Sequence, residues 1–177
     1  MLGYWKNPEA TREVLSGDGW LNTGDTAHID DTGRIWITGR IKEIIVLSNG
    51  EKVPPVDMES AIQRDPLFEQ VMVLGEGKPY LAVLALLNAD RWRDIARERG
   101  LDPELKSGAN PQVEDVVLER IGRQIREFPG FAQVRRAAVT LEPWSVESGL
   151  MTPTLKLKRA RILERYSSDL ERLYAGH

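Results

Sequence analysis

The spacing of apolar and polar positions separates a short, turn-rich opening from a longer stretch in which strands and helices follow one another. Pro8 to Leu15 reads as a short helix, with Pro8 early, where its missing N–H costs little. Gly17-Asp18-Gly19 is a turn, and Trp20-Leu21 starts an extended piece. Asp30-Asp31-Thr32-Gly33 predicts a hairpin turn between two short strands, the second running from Arg34 to Thr38 and ending at Gly39.

A new unit begins near residue 42. Glu43 to Leu47 reads as a β-branched strand, Ser48-Asn49-Gly50 as a turn, and the residues through Val53 as a further short strand before Pro54-Pro55. Val56 to Arg64 predicts a helix that turns Met58, Ala61 and Ile62 inward. Val71–Leu74 and Leu81–Leu87 are almost continuously apolar, the mark of strands covered on at least one face by helices. Asp90 is placed as the cap of a helix containing Trp92, Ile95 and Ala96 and ending at Gly100. Residues 102–112 form a polar connection. Val113, Val116, Val117, Ile121 and Ile125 then recur at helical spacing until Phe128-Pro129-Gly130 stops them. Val134 to Leu141 is a strand and Glu142 to Pro153 a loop. One last helix, from Ala160 to Tyr174, carries Ile162, Tyr166, Leu170 and Leu173. The order predicts an α+β fold: a small central β-sheet flanked by helices, preceded by a short β-rich unit that gives way near residue 42.

Composition narrows the function classes. The 177 residues are 41% hydrophobic and 29% charged, and no apolar run approaches the ~18 residues a membrane-crossing helix needs. A net charge of −3 argues against a domain built to hold nucleic acid. The absence of cysteine excludes disulfides and thiolate chemistry, and His28 and His177 are too few for a histidine metal site, so no metal ligand is assigned. No basic segment followed by an apolar run opens the chain, which makes the cytoplasm the expected location.

Three segments carry candidate chemistry. In Thr23-Gly24-Asp25, placed at a strand end, glycine allows close backbone approach while one carboxylate accepts both hydroxyls of a ribose. The same aspartate would equally serve as a turn cap. Arg40, in Gly39-Arg40-Ile41-Lys42-Glu43, offers a forked donor to a sugar or phosphate, or is simply a solvated charge at a strand junction. Within Met151 to Arg159, strand-like alternation would point Lys156 and Lys158 one way and Leu155 and Leu157 the other. Lys156 is then either a mobile cation for an anionic transition state or part of a basic turn before the last helix.

Taken together and in order, these segments resemble signatures of the adenylate-forming superfamily, with the nearest likeness to long-chain fatty acyl-CoA synthetases. The resemblance runs through Gly3 to Thr11, Asp18 to Asp25, Asp31 to Gly39, Gly39 to Val46 and Thr152 to Arg159. It implies that residues 1–41 are the end of a large N-terminal adenylation domain and residues 42–177 a mobile C-terminal lid. It further implies that Asp25 and Arg40 bind the ribose of ATP, that Lys42 is the hinge, and that Gly50 faces coenzyme A. Lys156 falls on the catalytic lysine. Fatty acid, ATP and coenzyme A would be the substrates, and magnesium would be held by ligands in the upstream N-terminal domain of the same protein, itself a partner of this one. A fatty substrate leaves peripheral membrane contact open.

The chain departs from many relatives in having Thr154-Leu155-Lys156 where they have Ser-Gly-Lys, and Pro54-Pro55 and Asn49 are unfamiliar near the coenzyme A face. Thr152-Pro153-Thr154 and the long excursion from residue 88 to 133 fit the long-chain branch. With no Gly-rich phosphate loop or acyl tunnel of its own, the chain alone is expected to lack ligase activity. Two other readings stand beside this one. One is an acyl-AMP ligase or carrier-protein acylating relative, and the other a non-catalytic module that binds an anion or a partner.

Overall fold

The computed structural model describes residues 1–106 and 110–175. Residues 107–109 of the expected polar connection, and His177, lie outside the described residues. The chain divides into two compact units, Met1–Ile44 and Ile45–His177.

In the first unit, α1 (Pro8–Val14) is capped by Asn7, whose side-chain oxygen accepts from the Ala10 N–H at 3.0 Å. β1 (Asp25–Ile29) and β2 (Ile35–Arg40) form an antiparallel ribbon. Its turn is organised by Asp30. One carboxylate oxygen accepts from the Thr32 N–H, the Thr32 hydroxyl and the Arg34 N–H, and the other from the Trp36 indole. Hydrogen bonds from Thr32, Arg34 and Trp36, in that order, hold the Asp30 carboxyl down at a pKa of about 2. No residue of this unit is fully buried, and Ile29, Ile35, Trp36 and Ile37 stand exposed along the ribbon.

The second unit is built on a three-stranded sheet in the order β5-β6-β7, with β5 (Phe68–Leu74) antiparallel and β7 (Val134–Thr140) parallel to β6 (Leu81–Leu87). All seven residues of β6 are buried because helices cover both faces. On one face lie α2 (Pro55–Ile62), α3 (Ala89–Arg99) and α4 (Pro111–Gln124), which bring in Met58, Trp92 and Ile121. On the other lie α5 (Arg159–Arg165) and α6 (Ser167–Tyr174), with Ile162, Tyr166 and Leu173, joined by Trp144 and Met151. A smaller hairpin of β3 (Ile45–Val46) and β4 (Lys52–Val53) precedes α2. The α+β organisation is therefore the expected one.

Three local expectations are corrected. Asn88, not Asp90, caps α3, because the chain leaves β6 at Leu87 and the Asn88 side chain already accepts from the Arg91 N–H at 3.0 Å. Asp90 lies in the first turn and pairs with Arg93. The strand expected over residues 43–47 shrinks to Ile45–Val46, since Ile41–Glu43 winds into a 3₁₀ turn. The single last helix is two: Tyr166 leaves helical geometry at φ −104°, ψ 22° while its hydroxyl accepts from the Trp144 indole at 3.2 Å. Anchoring that buried ring breaks the run between α5 and α6.

Candidate functional site

Asp25 opens β1 rather than closing a strand, and its register partner is Arg40, the last residue of β2. Arg40 Nε lies 3.2 Å from Asp25 Oδ1, and the Ile41 N–H closes the ribbon end by donating to the Gly24 carbonyl at 2.9 Å. The Asp25 side chain is 25% exposed and that of Arg40 61%, so the remaining guanidinium donors face solvent. A carboxylate acceptor beside a planar fork of donors complements vicinal hydroxyls.

Lys42 lies in the Ile41–Glu43 turn, with extended backbone on either side at Arg40 and Ile44. Rotation at a few such residues is enough to redirect the chain that follows.

Gly50 occupies the turn between β3 and β4, where Leu47 accepts from its N–H at 2.8 Å. Its φ of +87° favours glycine, and a Cβ placed there would meet nothing within 4 Å, so the space over the turn is open. This hairpin is fixed to the turn between β5 and β6. The Val46 N–H donates to the Glu76 carboxylate at 2.9 Å, the Gly77 N–H to the Val46 carbonyl at 2.8 Å, and the Ser48 N–H to the Lys78 carbonyl at 3.0 Å. Gly75 permits this docking, since a Cβ there would come within 2.7 Å of a Leu81 methyl and 3.1 Å of a Leu47 methyl.

Lys156 sits on a different hairpin of the same unit. The Thr152 N–H donates to the Lys156 carbonyl and the Lys158 N–H to the Leu150 carbonyl, both at 2.8 Å, while Met151 bridges Leu157. The Thr152 hydroxyl also accepts from the Lys156 N–H at 3.0 Å. The expected alternation fails at the turn, where Leu155 adopts φ +59° and is 70% exposed. Leu150 and Met151 bury the foot of the hairpin and Lys156 is exposed at its tip. Upstream in the same loop, hydrogen bonding from Ser145 holds the Glu147 carboxyl below its ordinary pKa.

Arg159, the last residue of the Thr152–Arg159 motif, follows the hairpin. Its guanidinium reaches Glu59 Oε1 at 2.7 Å and the Val73 carbonyl at 2.6 Å. A partner 100 residues away has no local signature, so only the fold reveals the pair. Leu155 did leave a signal, because Thr154-Leu155-Lys156 departs from the Ser-Gly-Lys pattern of the family the sequence resembles. A surface cavity of about 310 Å³ between α4, β7 and α6 is lined by Glu114, Arg136 and Asp169 among others, and includes neither Gly50 nor Lys156. Among the described residues no group of three or more His, Cys, Asp or Glu is placed to hold a metal ion.

Comparison with known proteins gives this geometry a context. Residues 42–177 match the family model described as the AMP-binding enzyme C-terminal domain. The chain is 35% identical, over 98% of its length, to long-chain-fatty-acid–CoA ligase 1 of Cavia porcellus, covering 25% of that protein. It is 32% identical, over 99% of its length, to a chloroplastic long-chain-fatty-acid–[acyl-carrier-protein] ligase of Arabidopsis thaliana, covering 24% of it. Among solved structures, the A domain of a carboxylic acid reductase from Segniliparus rugosus, in complex with AMP and a carboxylic acid, matches with a TM-score of 0.82 at 26% identity. That match covers 98% of this chain and 26% of the other. The chain thus spans about a quarter of the length of these relatives.

Proposed function

The chain belongs to the AMP-binding enzyme C-terminal domain family, and on that premise we propose that it is the C-terminal part of an ATP-dependent long-chain fatty acid:CoA ligase. The observation that carries the reading is Lys156, exposed at the tip of a hairpin whose foot is buried in the core. A fatty carboxylate and a triphosphate repel each other, and negative charge shifts onto pyrophosphate as it leaves. An ammonium held at the reacting oxygens offsets both effects.

In the first step a carboxylate oxygen attacks the α-phosphorus of ATP, giving acyl-AMP and pyrophosphate. In the second a thiol attacks the acyl carbon, giving a thioester and AMP. Asp25 and Arg40 would hold the ribose hydroxyls, Lys42 would be the hinge between the two steps, and the open space over Gly50 would admit the pantetheine arm of coenzyme A. Magnesium would screen phosphate charge, and its ligands are assigned to the upstream domain as the family resemblance implies; among the described residues no group of three or more His, Cys, Asp or Glu is placed to hold a metal ion. The exposed ribbon side chains Ile29, Ile35, Trp36 and Ile37 support packing against that domain. A cytoplasmic location goes with these substrates. Among the described residues no helix is long and apolar enough to cross a membrane.

A carrier-protein thiol in place of coenzyme A is the second reading, favoured by the similarity to the plant acyl-carrier-protein ligase. The test is thioester synthesis by the full-length protein from fatty acid, ATP and either acceptor. Coenzyme A turning over well ahead of carrier protein supports the primary reading, and the reverse replaces it. The purified 177-residue chain should form no thioester with either; detectable product would overturn its assignment as an incomplete catalyst.

A further inference from the structure

β5 is an edge strand, and the two backbone groups that Val73 turns away from β6 are both taken by side chains. Glu59 Oε1, from α2, accepts the Val73 N–H at 2.8 Å, and Arg159 Nη2, from the start of α5, donates to the Val73 carbonyl at 2.6 Å. The two side chains close the arrangement through their own contact at 2.7 Å. Glu59 is 13% exposed and Arg159 26%, so the pair is largely withdrawn from water, where such contacts are stronger than at the surface.

Only two residues separate Arg159 from Lys156, and between them the chain has little freedom. The Lys158 N–H is bonded to Leu150, and the Arg161 and Ile162 N–H groups fold back on the Lys158 carbonyl. Holding the Arg159 guanidinium therefore fixes the strand of the hairpin that delivers the lysine. We infer that Arg159, braced by Glu59 across the free edge of β5, is a positioning residue for Lys156. The inference rests on the function proposed for Lys156. Arginine suits the task because two of its nitrogens reach two acceptors in fixed directions, which a lysine cannot reproduce.

A misplacement of ~1 Å at a reacting centre can cost as much as about a hundredfold in rate, so a loosened anchor should register in the step that uses the lysine. The experiment takes the full-length ligase with Glu59→Gln, which keeps an acceptor for the Val73 N–H but removes the charge facing Arg159. Fatty-acid-dependent ATP–pyrophosphate exchange and thioester formation from supplied acyl-adenylate are measured side by side. The expected result is a fall of about tenfold in kcat for exchange, with the KM for ATP and the thioester half-reaction changed less than about twofold. Arg159→Lys should fall between the parent and Arg159→Met, and it carries the same test if Glu59→Gln does not fold. Equal losses in both half-reactions, or no loss in either, would overturn the inference. Lys156→Ala run alongside separates the two levels. If it suppresses exchange while Glu59→Gln does not, only the positioning role fails; if it leaves exchange intact, the proposed role of the lysine fails first.

Discussion

Asp25 and Arg40 are cross-strand partners at the open end of the β1–β2 ribbon, their side chains 3.2 Å apart. With Arg40 61% exposed, the ion pair contributes little to stability, typically about 0.2–1 kcal/mol for a surface pair. The register has a larger consequence: it places one acceptor and one donor fork on the same rim.

Asp25→Ala in the full-length protein should therefore raise the KM for ATP by about 10- to 100-fold, the loss of hydrogen bonds to a charged group worth ~1.5–3 kcal/mol. Thermal unfolding should move by less than about 1 kcal/mol in equivalent stability. An unchanged KM would remove the ribose assignment.

Leu155 occupies a left-handed position at φ +59° with its side chain 70% exposed. Left-handed backbone costs an L-residue roughly 1–2 kcal/mol, and a glycine returns about 0.5–1 kcal/mol of that as lost chain entropy. Leu155→Gly should stabilise the second unit by up to about 1 kcal/mol in a denaturant titration. Destabilisation instead would mean that the leucine packs against something in the full-length protein.

Asp65 is buried, and Arg120 grips both of its carboxylate oxygens at 2.7 and 2.8 Å. Removing one partner of a buried pair strands the other charge. Arg120→Met should cost about 3–5 kcal/mol in chemical denaturation, whereas a cost under about 1 kcal/mol would show that water reaches Asp65 freely.

Asp30 gives the first unit an acid dependence. Its folded pKa of about 2 lies below the ~3.9 of an unfolded aspartate, so the ionised carboxylate stabilises the hairpin turn. That contribution is complete above pH ~4 and is lost as the pH falls toward the folded value. A side-chain NMR titration should place the Asp30 midpoint near 2; a midpoint near ~4 would mean the turn is not formed.

Much of this fold was legible because local rules and tertiary packing agree. The apolar runs that became β5 and β6, and the helical spacing of Val113 to Ile125, report burial directly. Boundaries failed where a long-range contact outweighed local preference. Tyr166 continues the apolar face of a single helix, yet its bond to Trp144 splits that helix. Asp90 has cap chemistry, but the exit from β6 gives the position to Asn88. Asp25, Arg40 and Lys156 stand as candidates on order and likeness alone. The strand pairing that joins Asp25 to Arg40 depends on a register shift near Thr26 and Ala27 that no local pattern announces. The Glu59–Arg159 clamp depends on the whole sheet.

The most direct test of the account is fatty-acid-dependent ATP–pyrophosphate exchange in the full-length protein with Lys156→Ala. Exchange should be strong in the parent and fall about 100- to 1,000-fold in the variant, the usual loss when one transition-state contact of this kind is removed. Exchange that survives the substitution would contradict the role of Lys156, and a parent with no exchange on any carboxylate would favour a non-catalytic binding module.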